Sequence, residues 1–199
     1  MRSFASNEKS KFWSSKNIKS SREVFNSSHE PYLFDCNKCG HEFETTPSIV
    51  TSGCWCPYCG GQRLCDNQKC KLCFDKSLAS HEKSRFWSSK NYPLLPRNVF
   101  RGNQSEYLFD CNVCSHEFNA RPNNVTNGHW CPYCGHQKLC HTPSCVPCYN
   151  NSFANHEKVK FFSYKNGSAN PRNIFKGSND QKYWFICEKD MTLICYQIV

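Results

Sequence analysis

Apolar and polar positions alternate in short runs, and the runs return. Residues Tyr32 to Cys36 read YLFDC, which places Tyr32 and Phe34 on one face and Leu33 on the other, the period of a half-buried strand. The HEF ending at Phe43 predicts a returning partner strand, with the hairpin turn between Cys36 and Cys39. The same pattern stands at Tyr107 to Phe118, and its first half again as YWFIC from Tyr183. Pro47 to Val50 and Pro122 to Val125 predict a helical turn that ends near Gly53 and Gly128. Upstream of each strand lies one motif in three copies: SFASNEKSKFWSSKN from Ser3, SLASHEKSRFWSSKN from Ser77 and SFANHEKVKFFSYKN from Ser152. A leading serine and a body without Gly or Pro predict a short helix over Ser3–Trp13 and its copies. The aromatic pairs at its end (Phe12 and Trp13, Phe86 and Trp87, Phe161 and Phe162) are expected to pack it onto its own unit rather than to stack on bases. A long fixed period means repeated supersecondary units. We place them at 1–76, 77–151 and 152–199, the last truncated.

Units of about 75 residues are near the size at which an apolar core alone is marginal. The cysteines change that picture. The chain holds 17 in 199 residues. Cys36, Cys39, Cys56 and Cys59 form two Cys-x2-Cys pairs, and Cys111, Cys114, Cys131 and Cys134 repeat them at the same spacing. Two residues between cysteines let a tight turn aim both thiolates at one ion, and two such turns close a tetrahedral zinc shell. A disulfide framework is the competing reading. The count is odd, MRSFASNEKSKFW has no apolar run of signal-peptide length, and no stretch approaches the ~20 apolar residues that cross a bilayer. A reducing intracellular location is therefore expected, where such pairs hold metal. The fold class that follows is a small metal-stabilised α+β protein.

A second cluster follows each set: Cys65, Cys70 and Cys73, then Cys140, Cys145 and Cys148. Three thiolates are one ligand short. His81 and His156 stand at one place in the second and third helices, where a triplet precedes, while the first helix has Asn7 and no triplet before it. They are expected to complete two Cys3His sites and to make zinc a staple between repeats, giving four ions in all; the alternative is free thiols and histidines that merely cap. His41 and His116, two residues beyond a cysteine pair that already has four thiolates, are expected to hydrogen-bond a ligand rather than bind metal. Cys54, matched by His129, reads as a spare thiol. The third unit has Cys187 but Asp190 where the next ligand belongs, and Cys195 is out of register, so no four-cysteine site is expected there.

Charge changes the picture less than it first suggests. The formal +9 counts cysteine as neutral. Four thiolates around Zn²⁺ carry −2 and three with an imidazole −1, so two of each bring +9 down by about 6, to about +3. A case for DNA or RNA rests instead on placement: Lys9, Lys11 and Lys16; Lys83, Arg85 and Lys90; Lys158, Lys160 and Lys165 recur at matching positions, diluted by Glu8, Glu82 and Glu157. Sequence-independent contacts are one expectation and a structural or protein-interaction adaptor, in a virion or to a host factor, the other. Closed four-ligand sites leave no position for water or substrate, and no repeated acid–histidine cluster lies outside them, so neither an enzyme nor a small-molecule substrate is expected.

The CxxCGHEF knuckle, the V-T-x-G-x-WCPYC ending and the preceding S-x-A-x-H-E-K-x-x-F-W helix together resemble the treble-clef, probable zinc-ribbon repeat proteins common in giant DNA viruses and found in bacteria, sometimes beside nuclease domains. The resemblance covers nearly the whole chain and weakens in the third unit. It implies tandem treble clefs, each a short helix, a β-hairpin zinc knuckle and a second knuckle, with Cys36, Cys39, Cys56 and Cys59 as one site and Cys111, Cys114, Cys131 and Cys134 as the next. It implies binding modules, accessory to a nuclease in some cases, and does not imply an activity. A viral chain would work in host cytoplasm, nucleus or virus factory.

Overall fold

The computed structural model describes residues 2–177, 181–187 and 194–198. The chain divides into two compact units, one of residues 1–85 and 91–104, the other of residues 86–90 and 105–199.

In the first unit, strands β1 (Tyr32–Asp35) and β2 (Glu42–Thr45) pair antiparallel with Phe34 opposite Phe43. The Cys36–Cys39 knuckle is the hairpin turn, closed by the Cys36 N–H donating to the His41 carbonyl at 2.9 Å. Helix α1 (Pro47–Thr51) follows at once, because Thr46 accepts the Ile49 N–H and Pro47 supplies a helical φ at the first position. Gly53, at φ +95°, turns the chain out of it. Helix α2 (Lys71–Lys76), which the periodicity did not announce, starts at Cys70 and runs directly into the next copy of the Ser77 motif.

The motif expected to be one helix is two 3₁₀ turns, Phe4–Ser6 and Glu8–Phe12, broken at Asn7. Asn7 is extended (ψ 140°) and its Oδ1 accepts the Lys9 N–H at 2.9 Å. A side chain that satisfies the next turn's orphan donor makes a better cap than a helix interior. The copies break alike, into Leu78–Ser80 and Glu82–Phe86, and into Phe153–Asn155 and Glu157–Phe161.

These turns cover the outer edge of the hairpin. The Ser14 N–H donates to the Leu33 carbonyl, and the Asn17 side chain pairs with both backbone groups of Leu33 at 2.8 and 2.9 Å. An exposed strand edge is thereby closed by side chains. Phe4, Val24, Tyr32, Phe34, Phe43 and Val50 form the core, and the ligand candidates Cys36 and Cys56 belong to the same cluster. Trp13 packs 4.6 Å from Tyr32 and 5.2 Å edge-on to Phe34, and Phe12 lies 5.8 Å from Trp55. The aromatic pairs thus pack within their own unit.

The second unit repeats this frame with β3 (Tyr107–Asp110), β4 (Glu117–Ala120), α3 (Pro122–Thr126) and α4 (Val146–Asn151). It ends in a hairpin of β5 (Lys182–Ile186) and β6 (Ile194–Ile198), whose core is Phe153, Ile174, Tyr183 and Phe185. Cys187 joins no metal-binding group among the described residues; Asp190 and the Cys195 side chain lie outside them.

Phe34 is fully buried, so Phe34→Ala is expected to cost about 3–5 kcal/mol in denaturant unfolding of the zinc-loaded protein. The fully exposed Ile18→Ala should stay within about 0.5 kcal/mol of the parent, and equal losses would misplace the core.

Candidate metal centres

Four groups of ligand atoms converge, the atoms of each lying within 4.8 Å of one another. Two are the expected four-cysteine sets. Cys36 Sγ lies 3.7 Å from Cys59 Sγ, and Cys39 Sγ 3.5 Å from Cys56 Sγ. In the second repeat the corresponding distances are 3.6 Å (Cys111 to Cys134) and 3.5 Å (Cys114 to Cys131). A tetrahedron with Zn–S arms of about 2.3 Å has an S···S edge of about 3.8 Å, whereas a disulfide would need about 2.05 Å. The donor sets fit zinc, and none of these cysteines is oxidised.

The other two groups are His41 with Cys65, Cys70 and Cys73, and His116 with Cys140, Cys145 and Cys148. His41 Nε2 lies 3.4 Å from Cys70 Sγ and 3.7 Å from Cys73 Sγ; His116 Nε2 lies 3.3 and 3.5 Å from Cys145 and Cys148. An N···S edge of about 3.6 Å is what Zn–N of about 2.1 Å and Zn–S of about 2.3 Å require. The expected fourth ligands are therefore corrected: His81 and His156 are absent from these groups. Each stands at the break between two 3₁₀ turns, where its Nδ1 accepts the N–H of Lys83 (3.2 Å) or Lys158 (3.1 Å), the role Asn7 plays in the first copy. Asn and His interchange there because the position needs an acceptor and no metal ligand. The second zinc accordingly ties a helix to the knuckle behind it, not one repeat to the helix ahead. Cys54 is exposed and belongs to no group.

The hairpin explains the exchange. His41 follows the first knuckle, and its ring stacks on Tyr58 at 4.2 Å, inside the second knuckle. His116 stacks on Tyr133 at 4.1 Å. With one ring face fixed, Nε2 points to where the start of α2 delivers Cys70 and Cys73. Lys76, in the last turn of α2, donates to the carbonyls of Tyr58 and Cys59 at 2.7 and 2.8 Å, fastening the helix to the second knuckle. The signal for His41 was present in the sequence: it recurs as His116 as faithfully as His81 recurs as His156. Spacing along the chain favours the nearer candidate, and only the folded hairpin shows the other to be closer.

Burial sets the proton inventory of these thiols. It pushes Cys39 and Cys56 up to about 11, and lifts Cys59 as well. It would raise Cys36 too, but N–H groups of Lys38 and Cys39 bring that thiol down to about 7. In the second site burial holds Cys73 near 11; it opposes ionisation of Cys65 as well, yet hydrogen bonds from His41 and Cys73 lower that thiol to about 6. Cys111 (about 7), Cys140 (about 6) and Cys148 (about 11) follow the same scheme. Each group thus sets one thiol held below its ordinary range beside at least one that burial holds well above it, and the protons of the latter leave as metal enters.

Closed donor sets of this kind, two in each of the first two repeats on a hairpin-and-knuckle frame, define a structural zinc-finger class. Residues 10–62 and 84–137 match the family described as a probable treble clef zinc finger domain, and the chain belongs to that family. It is also 34% identical over 192 residues to an uncharacterised protein of Acanthamoeba polyphaga mimivirus; the match takes in 94% of this chain and 46% of the relative, so the chain spans about half of that protein's length. The cysteine triplets of the second sites lie beyond the family matches, although His41 and His116 lie within them. Among the described residues no helix is long and apolar enough to cross a membrane.

Two outcomes follow. By native mass spectrometry His41→Ala should bind three zinc ions and His81→Ala four; the reverse would restore the nearer histidine. Zinc uptake near neutral pH should release protons, seen by calorimetry in buffers of different ionisation enthalpy, and affinity should fall as pH drops and protons compete for the thiolates. No buffer dependence would contradict this proton inventory.

Proposed function

We propose that this chain is a non-enzymatic binding module that holds nucleic acid by its phosphates, without reading sequence. The observation that carries the reading is one exposed cation at the same place in every repeat, Lys11, Arg85 and Lys160, next to an aromatic ring. Lys11 Nζ lies 5.1 Å from the Phe12 ring centre and Lys160 Nζ 4.9 Å from that of Phe161. Exposed cations recurring in register suit a backbone-tracking surface, on which phosphate contacts give affinity without base reading.

The fold narrows the candidate set. Lys16 pairs with Glu42 and Lys90 with Glu117, both at 3.0 Å, and Lys9 with Glu8 at 3.1 Å. These partners dilute the field that a phosphate would meet. Lys83 is half-buried, while Lys158 and Lys165 are exposed. Closed metal shells support binding rather than catalysis, since zinc hydrolases keep a coordination position open.

A protein partner is the second reading. It is favoured by Tyr92, Leu94 and Leu95, exposed apolar residues in one short segment, with Tyr92 82% exposed.

Fluorescence anisotropy with single-stranded RNA and duplex DNA decides between them. The zinc-loaded chain should bind with affinity falling steeply from 50 to 200 mM salt, and Lys11→Glu, Arg85→Glu and Lys160→Glu together should weaken binding at least about tenfold and flatten the salt slope. Binding indifferent to both salt and the triple variant would sink the phosphate reading in favour of the Tyr92–Leu95 segment.

A further inference from the structure

Arg97 is a buried cation without a carboxylate. It is 6% exposed, and among the described residues no Asp or Glu lies within ion-pair distance of it. Its Nη2 sits 3.8 Å from Cys65 Sγ and donates to the Asn67 carbonyl at 3.1 Å. No other protein acceptor meets its Nε or Nη1. Arg172 is half-buried and makes the same contacts, 3.8 Å from Cys140 Sγ and 3.1 Å from the Thr142 carbonyl, with its Nε and Nη1 likewise buried and unpartnered. The third arginine in register, Arg22, is exposed, and no cysteine triplet precedes it.

A guanidinium removed from water is costly unless an anion faces it. Three thiolates and an imidazole around Zn²⁺ leave one negative charge, and one arm of the guanidinium meets one of those sulfurs. We infer that Arg97 and Arg172 are the counter-ions of the two Cys3His zinc centres, positioning residues that hold Cys65 and Cys140 at the metal.

The pairing has a mechanical consequence. Arg97 lies in the 3₁₀ turn Pro96–Asn98, and the next residue, Val99, accepts the Leu78 N–H at 2.7 Å. The Phe153 N–H donates to Ile174 at 2.7 Å beside Arg172 in the same way. The loop that clasps the start of each following repeat therefore also places its charge on the metal site just before it. In the first copy the clasp exists, Phe4 N–H to Val24 carbonyl at 2.7 Å, without the charge contact. The link between repeats that the histidines were expected to supply is made by arginine.

The test uses the full zinc-loaded chain. Zinc transfer to a chromogenic chelator is timed, and thiol exposure is mapped by N-ethylmaleimide labelling and peptide mass spectrometry. Arg97→Gln should release one zinc about 10–100-fold more readily and expose Cys65, Cys70 and Cys73 while Cys36, Cys39, Cys56 and Cys59 stay protected. Arg97→Lys, which keeps the charge but not the fork, should fall between, and Arg22→Gln should match the parent. Release at the parental rate, or simultaneous exposure of both thiol sets, would overturn the inference. Should Arg97→Gln fail to fold, parental release by Arg97→Lys would overturn it equally.

Discussion

Thiolates 3.5–3.7 Å apart repel one another unless something cationic holds them. The rest of the molecule follows from that constraint. Burial pushes Cys39, Cys56 and Cys73 well above their ordinary range, so those thiols keep their protons until metal enters. A zinc ion turns the same geometry into four short bonds, and structural sites of this kind supply ~10–16 kcal/mol. Against that, each repeat contributes a single layer of aromatic and aliphatic side chains whose cluster already counts metal-ligating cysteines among its members. The apolar packing orients the knuckles; the metal makes the orientation stable.

The two centres of a repeat are built into each other. His41 belongs to the first knuckle in sequence and to the second site in space, and its ring rests on Tyr58 between Cys56 and Cys59. Helix α2 delivers Cys70 and Cys73 from one end and fastens its other end to the carbonyls of the second knuckle through Lys76. The second repeat keeps the His116–Tyr133 stack but has Asn151 in place of Lys76, so its helix lacks that fastening.

What could be read in the sequence was whatever depends on local spacing. The paired cysteines sit at turns, the strand residues alternate, and Pro47 begins a helical turn, because each of these is decided within a few residues. The Ser3–Trp13 motif misled because its periodic, Gly-free body suits a helix, while Asn7 or His81 offers a cap that breaks it into two turns. The second centres misled for a different reason. Whether His41 or His81 reaches the cysteine triplet depends on how the hairpin folds back over α2, a long-range fact that no spacing encodes. Arg97 was visible as a residue in register with Arg22 and Arg172, but only burial without a carboxylate partner distinguishes a counter-ion from a surface charge.

The central claim is that zinc, and not the apolar core, makes this polypeptide hold its shape. The direct measurement is a chelator titration followed at once by native mass spectrometry for bound zinc and by near-ultraviolet circular dichroism, since Trp13, Trp55, Trp87 and Trp130 report the packing around the knuckles. The account predicts that the aromatic signal disappears in step with the departing ions and returns when zinc is restored. An undiminished aromatic signal in a fully zinc-free chain would contradict it.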